Sequence, residues 1–142
     1  MIVLDVNLLL YAYDSAVLEH KRARSWLEQT FSSSELVGLP WDSILSFLRI
    51  STAPRMISNP FELDSATAIV DGWLKLRNVT IVAPTEEHWR ILARLLLKTR
   101  ARGSLIMDAH LAALAIEHGA TLCTNDRDFA RFPGLKVEFP IQ

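Results

Sequence analysis

The stretch Gly103 to Phe129, GSLIMDAHLAALAIEHGATLCTNDRDF, sets two carboxylates into surroundings that otherwise read as core. Leu105, Ala109, Ala112, Ala113 and Ile116 recur at helical spacing, and Gly119 stands where a left-handed residue closes a helix. Asp108 shares a face of that helix with Leu111, Ala112 and Ala115. A carboxylate on an apolar face is costly to bury unless it is hydrogen-bonded, protonated or bound to a cation. A short β-type run from Ala120 to Thr124 follows and stops at Asn125-Asp126. Asp126 therefore sits where a strand opens into a loop.

The same construction opens the chain: Met1 to Leu4 is an apolar run, and Asp5 ends it. In open parallel α/β sheets the ligand crevice lies outside the carboxyl ends of the strands, so two strands ending in acids deliver them to one cleft. Asp5, Asp108 and Asp126 form the working catalytic and metal-binding set.

The length of 142 residues and 50% hydrophobic content allow one ordinary core, so one domain spanning 1–142 is expected. Fifteen Lys and Arg against sixteen Asp and Glu give a formal charge of −1, which excludes a broadly electropositive nucleic-acid surface. Any such contact has to be local. The single cysteine, Cys123, excludes an intrachain disulfide and a multi-cysteine zinc site, and suits a reducing compartment; it reads as a buried structural thiol. The cytosol is expected, with neither export nor membrane insertion, because no run approaches the roughly 20 apolar residues of a membrane span.

Along the chain, Leu8 to Tyr13 predicts a short helix entered through Asn7 as N-cap. Leu18 to Phe31 predicts an amphipathic helix with Ala23, Trp26, Leu27 and Thr30 inward. Glu35 to Leu39 fits either a strand or a helix start. Asp42 to Ser51 predicts a helix buried on several sides, given Ile44, Leu45, Phe47, Leu48 and Ile50. Asp42 and Ser46, four apart, share one face; they offer a fourth ligand if that face looks into the cleft, whereas Asp42 otherwise serves the positive end of the helix dipole. Phe61 to Leu76 predicts another helix, Asn78 to Ala83 a strand, Pro84-Thr85 the cap of a helix reaching Arg100, and Lys136 to Phe139 a last strand. Arg90, Arg94 and Lys98 make a basic stripe that reads as solvated surface, with phosphate contact as the sharper alternative. His110 and His118 read as surface or supporting residues, and the four tryptophans as core anchors. Strands alternating with helices, without tight hairpins, give an α/β fold with a mainly parallel sheet.

Aspartates gathered without basic partners repel one another and either hold protons or recruit a cation. Hard oxygen ligands select Mg²⁺ or Mn²⁺, which bridge to phosphate oxygens, so a carboxylate cleft points to phosphoryl chemistry with a metal-activated water as nucleophile. Singly, Asp5 and Asp126 also fit a turn or cap role after a strand.

The opening MIVLDVNLLLYAYD, the central LPWDSILSFLRISTAPRM and the late GSLIMDAHLAALAIEHGATLCTNDRDFARFPGLKV together resemble the PIN-domain family, and within it the VapC-type toxins of bacterial toxin–antitoxin modules. The resemblance implies a three-layer α/β/α fold, a metal-dependent endoribonuclease, a homodimer, and neutralisation by a small VapB-type antitoxin. It matches Asp5, Asp108 and Asp126 to the family's acids and Asn7 to a polar companion of the first. It gives Thr124 and Asp128 a supporting role beside Asp126, and Arg49 and Arg55 a role in RNA or partner contact. The chain departs from the pattern at Ser46, where the family usually carries a glutamate. Asp42 one turn earlier, or a water held by Ser46, would replace it.

Two other readings compete. A PIN-like module weakened in metal binding through Ser46 would act by RNA or protein binding alone. A haloacid-dehalogenase-like phosphatase would use a strand followed by Asp-x-Asp, which Asp5-Val6-Asn7 approaches without the second acid.

Overall fold

Five short strands form one all-parallel sheet: β1 (Ile2–Leu4), β2 (Val37–Pro40), β3 (Val79–Val82), β4 (Thr121–Cys123) and β5 (Lys136–Glu138). The computed structural model describes residues 1–142. Strand order is β3-β2-β1-β4-β5, so the chain builds outward from β1 on one side, then crosses back to continue on the other. β1 is held between Val37 and Thr121, both in register with Ile2. The seam between β1 and β4 is the topological switch point, where a crevice opens at the carboxyl ends of the strands.

Six helices cover the sheet: α1 (Val6–Tyr13), α2 (His20–Phe31), α3 (Trp41–Ser51), α4 (Leu63–Leu74), α5 (His88–Thr99) and α6 (Leu105–Glu117). Because β1 alternates, Leu4 joins Leu8, Leu27, Phe47 and Trp73 in the core beneath α1 to α4, while Val3 joins Ile91, Leu95, Ala112 and Leu122 beneath α5 and α6. The result is the three-layer α/β/α arrangement. With both faces covered, the sheet needs apolar residues at nearly every strand position, as β1 and β2 have. Tyr13, Phe31 and Phe47 pack around Trp73, with Phe47 edge-on at 4.7 Å between ring centroids. No helix is long and apolar enough to cross a membrane.

Several local expectations need correcting. Asp5, not Asn7, is the N-cap of α1: its Oδ1 accepts the Val6 N–H at 2.7 Å, and Asn7 lies inside the helix. The segment Glu35 to Leu39 resolves as strand, from Val37. α3 is buried on one side rather than several: the inward positions are Ser43, Ile44, Phe47 and Ser51, and Leu45 is 59% exposed. Ser43 tolerates burial because its hydroxyl donates to the Leu4 carbonyl at 2.8 Å. α5 begins at His88, after a turn in which Thr85 Oγ1 accepts the Glu87 N–H, so Thr85 is not its cap. Only Trp73 among the tryptophans is fully in the core; Trp41 and Trp89 are exposed. Gly119 does close α6 in the left-handed region, at φ 63°.

Gly38 in β2 marks the tightest approach in the sheet. A Cβ there would lie 2.8 Å from Val82 Cγ1 and 3.3 Å from Val3 Cγ2. Gly38→Ala is therefore expected to lower stability by about 1–3 kcal/mol, the range for overpacking a filled core. Denaturant unfolding checks it, with Leu45→Ala as the exposed-site control near zero.

Candidate active site

Asp5 leaves β1 directly at the switch point and is only 9% exposed. Its carboxylate has three protein donors. Oδ1 takes the Val6 N–H; Oδ2 takes the Thr124 hydroxyl at 2.7 Å and Asn7 Nδ2 at 3.1 Å. Thr124 is the donor, since its oxygen already accepts from Asn7 Nδ2 and the Asp126 N–H. Asn7 Oδ1 in turn accepts the Asn125 N–H at 3.1 Å. The end of β1, the start of α1 and the loop after β4 are thus stitched together by one polar network.

Asp108 lies in the first turn of α6 and Asp42 in the first turn of α3. Both line, with Asp5, a cleft of about 320 Å³ whose walls include Ser46, Arg49 and Met107. Three helix N-termini, those of α1, α3 and α6, meet at this cleft, and their dipoles partly offset the crowding of negative charge. Asp126 caps the 3-10 turn Arg127–Arg131 by accepting the Asp128 N–H at 2.9 Å. It stands outside the cleft wall but close enough to repel both Asp5 and Asp108. For Asp5, capping and lining the cleft are compatible, because the cap uses one oxygen.

Desolvation, then repulsion from Asp126 and Asp5, holds the Asp108 carboxyl above its ordinary range, with Arg131 working weakly the other way. Asp5 is likewise raised, chiefly by burial, against the pull of Thr124, Val6 and Asn7. Burial pushes the Cys123 thiol up to about 12, which suits a structural cysteine. No three acids or histidines stand in a ready-made metal-ligating cluster. The carboxylates on the cleft wall, Asp5, Asp42 and Asp108, still fit Mg²⁺ or Mn²⁺, because Mg²⁺ keeps several waters and takes only one or two carboxylates directly.

The remaining candidates divide. Ser46 and Arg49 face the cleft; Arg55 lines a separate shallow depression with Met56 and Ile57. Asp128 serves Asp126 through its backbone N–H, while its own carboxylate is exposed, 3.7 Å from Arg131. Arg90 pairs with Glu87 on the surface. Sequence reasoning missed a side-chain chain behind the cleft. Glu117 Oε2 meets His88 Nδ1 at 2.8 Å, His88 Nε2 meets His110 Nδ1 at 2.9 Å, and His110 Nε2 meets Asp42 Oδ1 at 2.9 Å. The three contacts form one unbroken line of hydrogen-bonding groups from the buried Glu117 carboxylate to Asp42 at the cleft. His88 carried no signal in the sequence beyond standing near a helix start.

An open parallel α/β sheet with carboxylates collected at its switch point defines a class of protein built to work on a ligand held over acids. The match to known proteins narrows this to one family. Residues 2–135 match the PIN domain. Ribonuclease VapC37 of Mycobacterium tuberculosis is 37% identical over 140 residues, covering 99% of this chain and 97% of that protein. Ribonuclease VapC33 of the same species is 37% identical over 142 residues, covering 100% of this chain and 99% of that one. Among solved structures, VapBC2 from Rickettsia felis bound to a promoter DNA fragment superposes with a TM-score of 0.70 at 20% identity, covering 97% of this chain and 98% of that one. The chain belongs to the PIN-domain family. Family membership sets aside the phosphatase reading, and the cleft wall contains no lysine.

Raised carboxyls fix the sign of a pH effect. The folded protein binds those protons more tightly than the unfolded chain, so their contribution is present below the ordinary value of 3.8 and is lost as pH rises through the raised values. Metal-free Asp108→Asn is accordingly expected to melt higher than the parent at neutral pH. Asp5→Asn is expected to melt lower, because an amide cannot accept from Val6, Asn7 and Thr124 together and the mismatch costs about 1–3 kcal/mol. Thermal melts in chelator read both signs.

Proposed function

We propose that this chain is a Mg²⁺- or Mn²⁺-dependent endoribonuclease that hydrolyses RNA phosphodiester bonds, and that it is the toxin of a type II toxin–antitoxin pair acting in the cytoplasm. The observation that carries the reading is the convergence of Asp5 and Asp108 on one cleft, with Asp126 beside them, in a neighbourhood that penalises their negative charge. Such a site gains most from a cation, and its relatives bear the name ribonuclease. Solved structures with this fold include toxin–antitoxin complexes, among them one from Klebsiella pneumoniae that superposes with a TM-score of 0.65 at 18% identity, covering 99% of this chain and 98% of that one. A VapB-type antitoxin and a homodimer are the expected partners.

Asp5, Asp108 and Asp126 would hold the cation, with Asp42 lining the same cleft as the first two. When bound, a divalent ion supplies Lewis acidity to a phosphate oxygen and lowers the pKa of an attacking water. The chain's own groups do the positioning. Thr124 and Asn7 fix the rotamer of Asp5, which lines the cleft. Arg49 at the rim offers a cation to the RNA backbone, whose recognition otherwise depends on shape and stacking. Met107 and Leu111 give the same wall an apolar lip.

Cleavage of end-labelled total RNA by the purified protein, with Mg²⁺, Mn²⁺ or EDTA, tests the reading. Discrete cuts are expected with either metal and none in EDTA, and Asp108→Asn is expected to fall to background while folding as well as the parent. Metal-independent cutting, or full activity in Asp108→Asn, would overturn it.

A further inference from the structure

The fold leaves Asp42 half satisfied. Its Oδ1 is fixed by His110 Nε2 at 2.9 Å, whereas Oδ2 has no protein partner and its side chain is 39% exposed at the cleft. Ser46, one turn on along the same face of α3, lines the same cleft with a hydroxyl that makes no hydrogen bond in the fold. We propose that Glu117, His88 and His110 form a brace that fixes the Asp42 carboxylate in the cleft, so that Asp42 supplies the acid that Ser46 does not. This rests on the nuclease reading above.

The anchor of the brace is Glu117, whose side chain is fully buried and whose two oxygens are both engaged, Oε1 by the Thr85 N–H at 3.1 Å and Oε2 by His88. His110 and Glu117 are seven residues apart on α6, two helical turns, and so share a side of it. His88, the first residue of α5, fills the gap between them, its ring edge-on to His110 at 4.8 Å between centroids. The first turn of α6 carries Asp108 and its next residues carry His110, so one rigid element presents one acid to the cleft and grips another. A buried carboxylate–imidazole pair contributes little net stability. Hydrogen-bond partners of metal-ligating carboxylates, by contrast, change metal affinity by roughly 10–100-fold. His110 and His88 are thus positioning residues acting through Asp42.

Calorimetric titration of the full-length metal-free protein with Mn²⁺ tests the brace, using Asp42→Ala, His110→Ala, the double variant, and Asp108→Asn as reference. Asp42→Ala and His110→Ala are each expected to weaken Mn²⁺ binding roughly 10–100-fold, and the double variant is expected to bind no more weakly than Asp42→Ala. RNA cleavage by His110→Ala should recover as Mn²⁺ is raised. His110→Gln, whose amide nitrogen restores a donor to Asp42, should regain most of the affinity. Should His110→Ala fail to fold, His88→Gln carries the same expectation: weaker binding in the parent and none further in Asp42→Ala. Affinity for Mn²⁺ within about twofold of the parent in the brace variants, while Asp108→Asn loses binding, would overturn the brace and leave the nuclease standing. Losses that multiply in the double variant would overturn it too. A parent protein that binds no Mn²⁺ would overturn both.

Discussion

The architecture turns on one buried carboxyl group. The Asp5 carboxylate sits at the end of the central strand, where isolation from water would be prohibitive without the Val6 N–H, the Asn7 amide and the Thr124 hydroxyl. Those donors come from the two segments that flank the switch point, so satisfying the charge also locks β1, α1 and the loop after β4 into one arrangement. The same network fixes Asp126 through its backbone. What stabilises the carboxylate locally is set against its burial first and its repulsion by Asp126 second, and for both Asp5 and Asp108 burial is the larger force raising the carboxyl. A site of this kind trades folding stability for readiness to bind.

Much of this was legible in the residues. Strands that stop at acids, and an acid on an apolar helix face, led to Asp5, Asp108 and Asp126 because each violates a local pattern in the same way. The alternation of short apolar runs with helical periods carried the parallel sheet. Less legible was which side of an apolar helix would be left uncovered. α3 offers apolar residues nearly all round, and only its packing against α1, β2 and α4 decides that Leu45 faces out while Ser43 and Ser51 face in. Trp41 and Trp89 are exposed for the same reason: neighbours, not residue type, determine burial.

The brace was beyond reach of the sequence. Its contacts join residues 29, 22 and 68 positions apart, so no spacing rule connects them. A histidine on an amphipathic helix reads as surface, and a glutamate just before a helix-closing glycine reads as solvated. Only the packing of α5 on α6, and of α6 beside α3, turns four ordinary polar residues into a single line of contacts.

The strand order also governs when a newly made chain can become chemically competent. β1 precedes the other four strands in the chain but pairs with residues at 37 and at 121, and Asp5 receives its Thr124 hydroxyl across 119 residues. Long-range parallel pairing is slow because loop closure must precede any reward from contact. Asp108 and Asp126 follow β3 in the chain. A chain made only as far as β3 holds Asp5 and Asp42 but neither of those acids, so the carboxylates that this fold gathers come together only once α6 and the loop after β4 have been made.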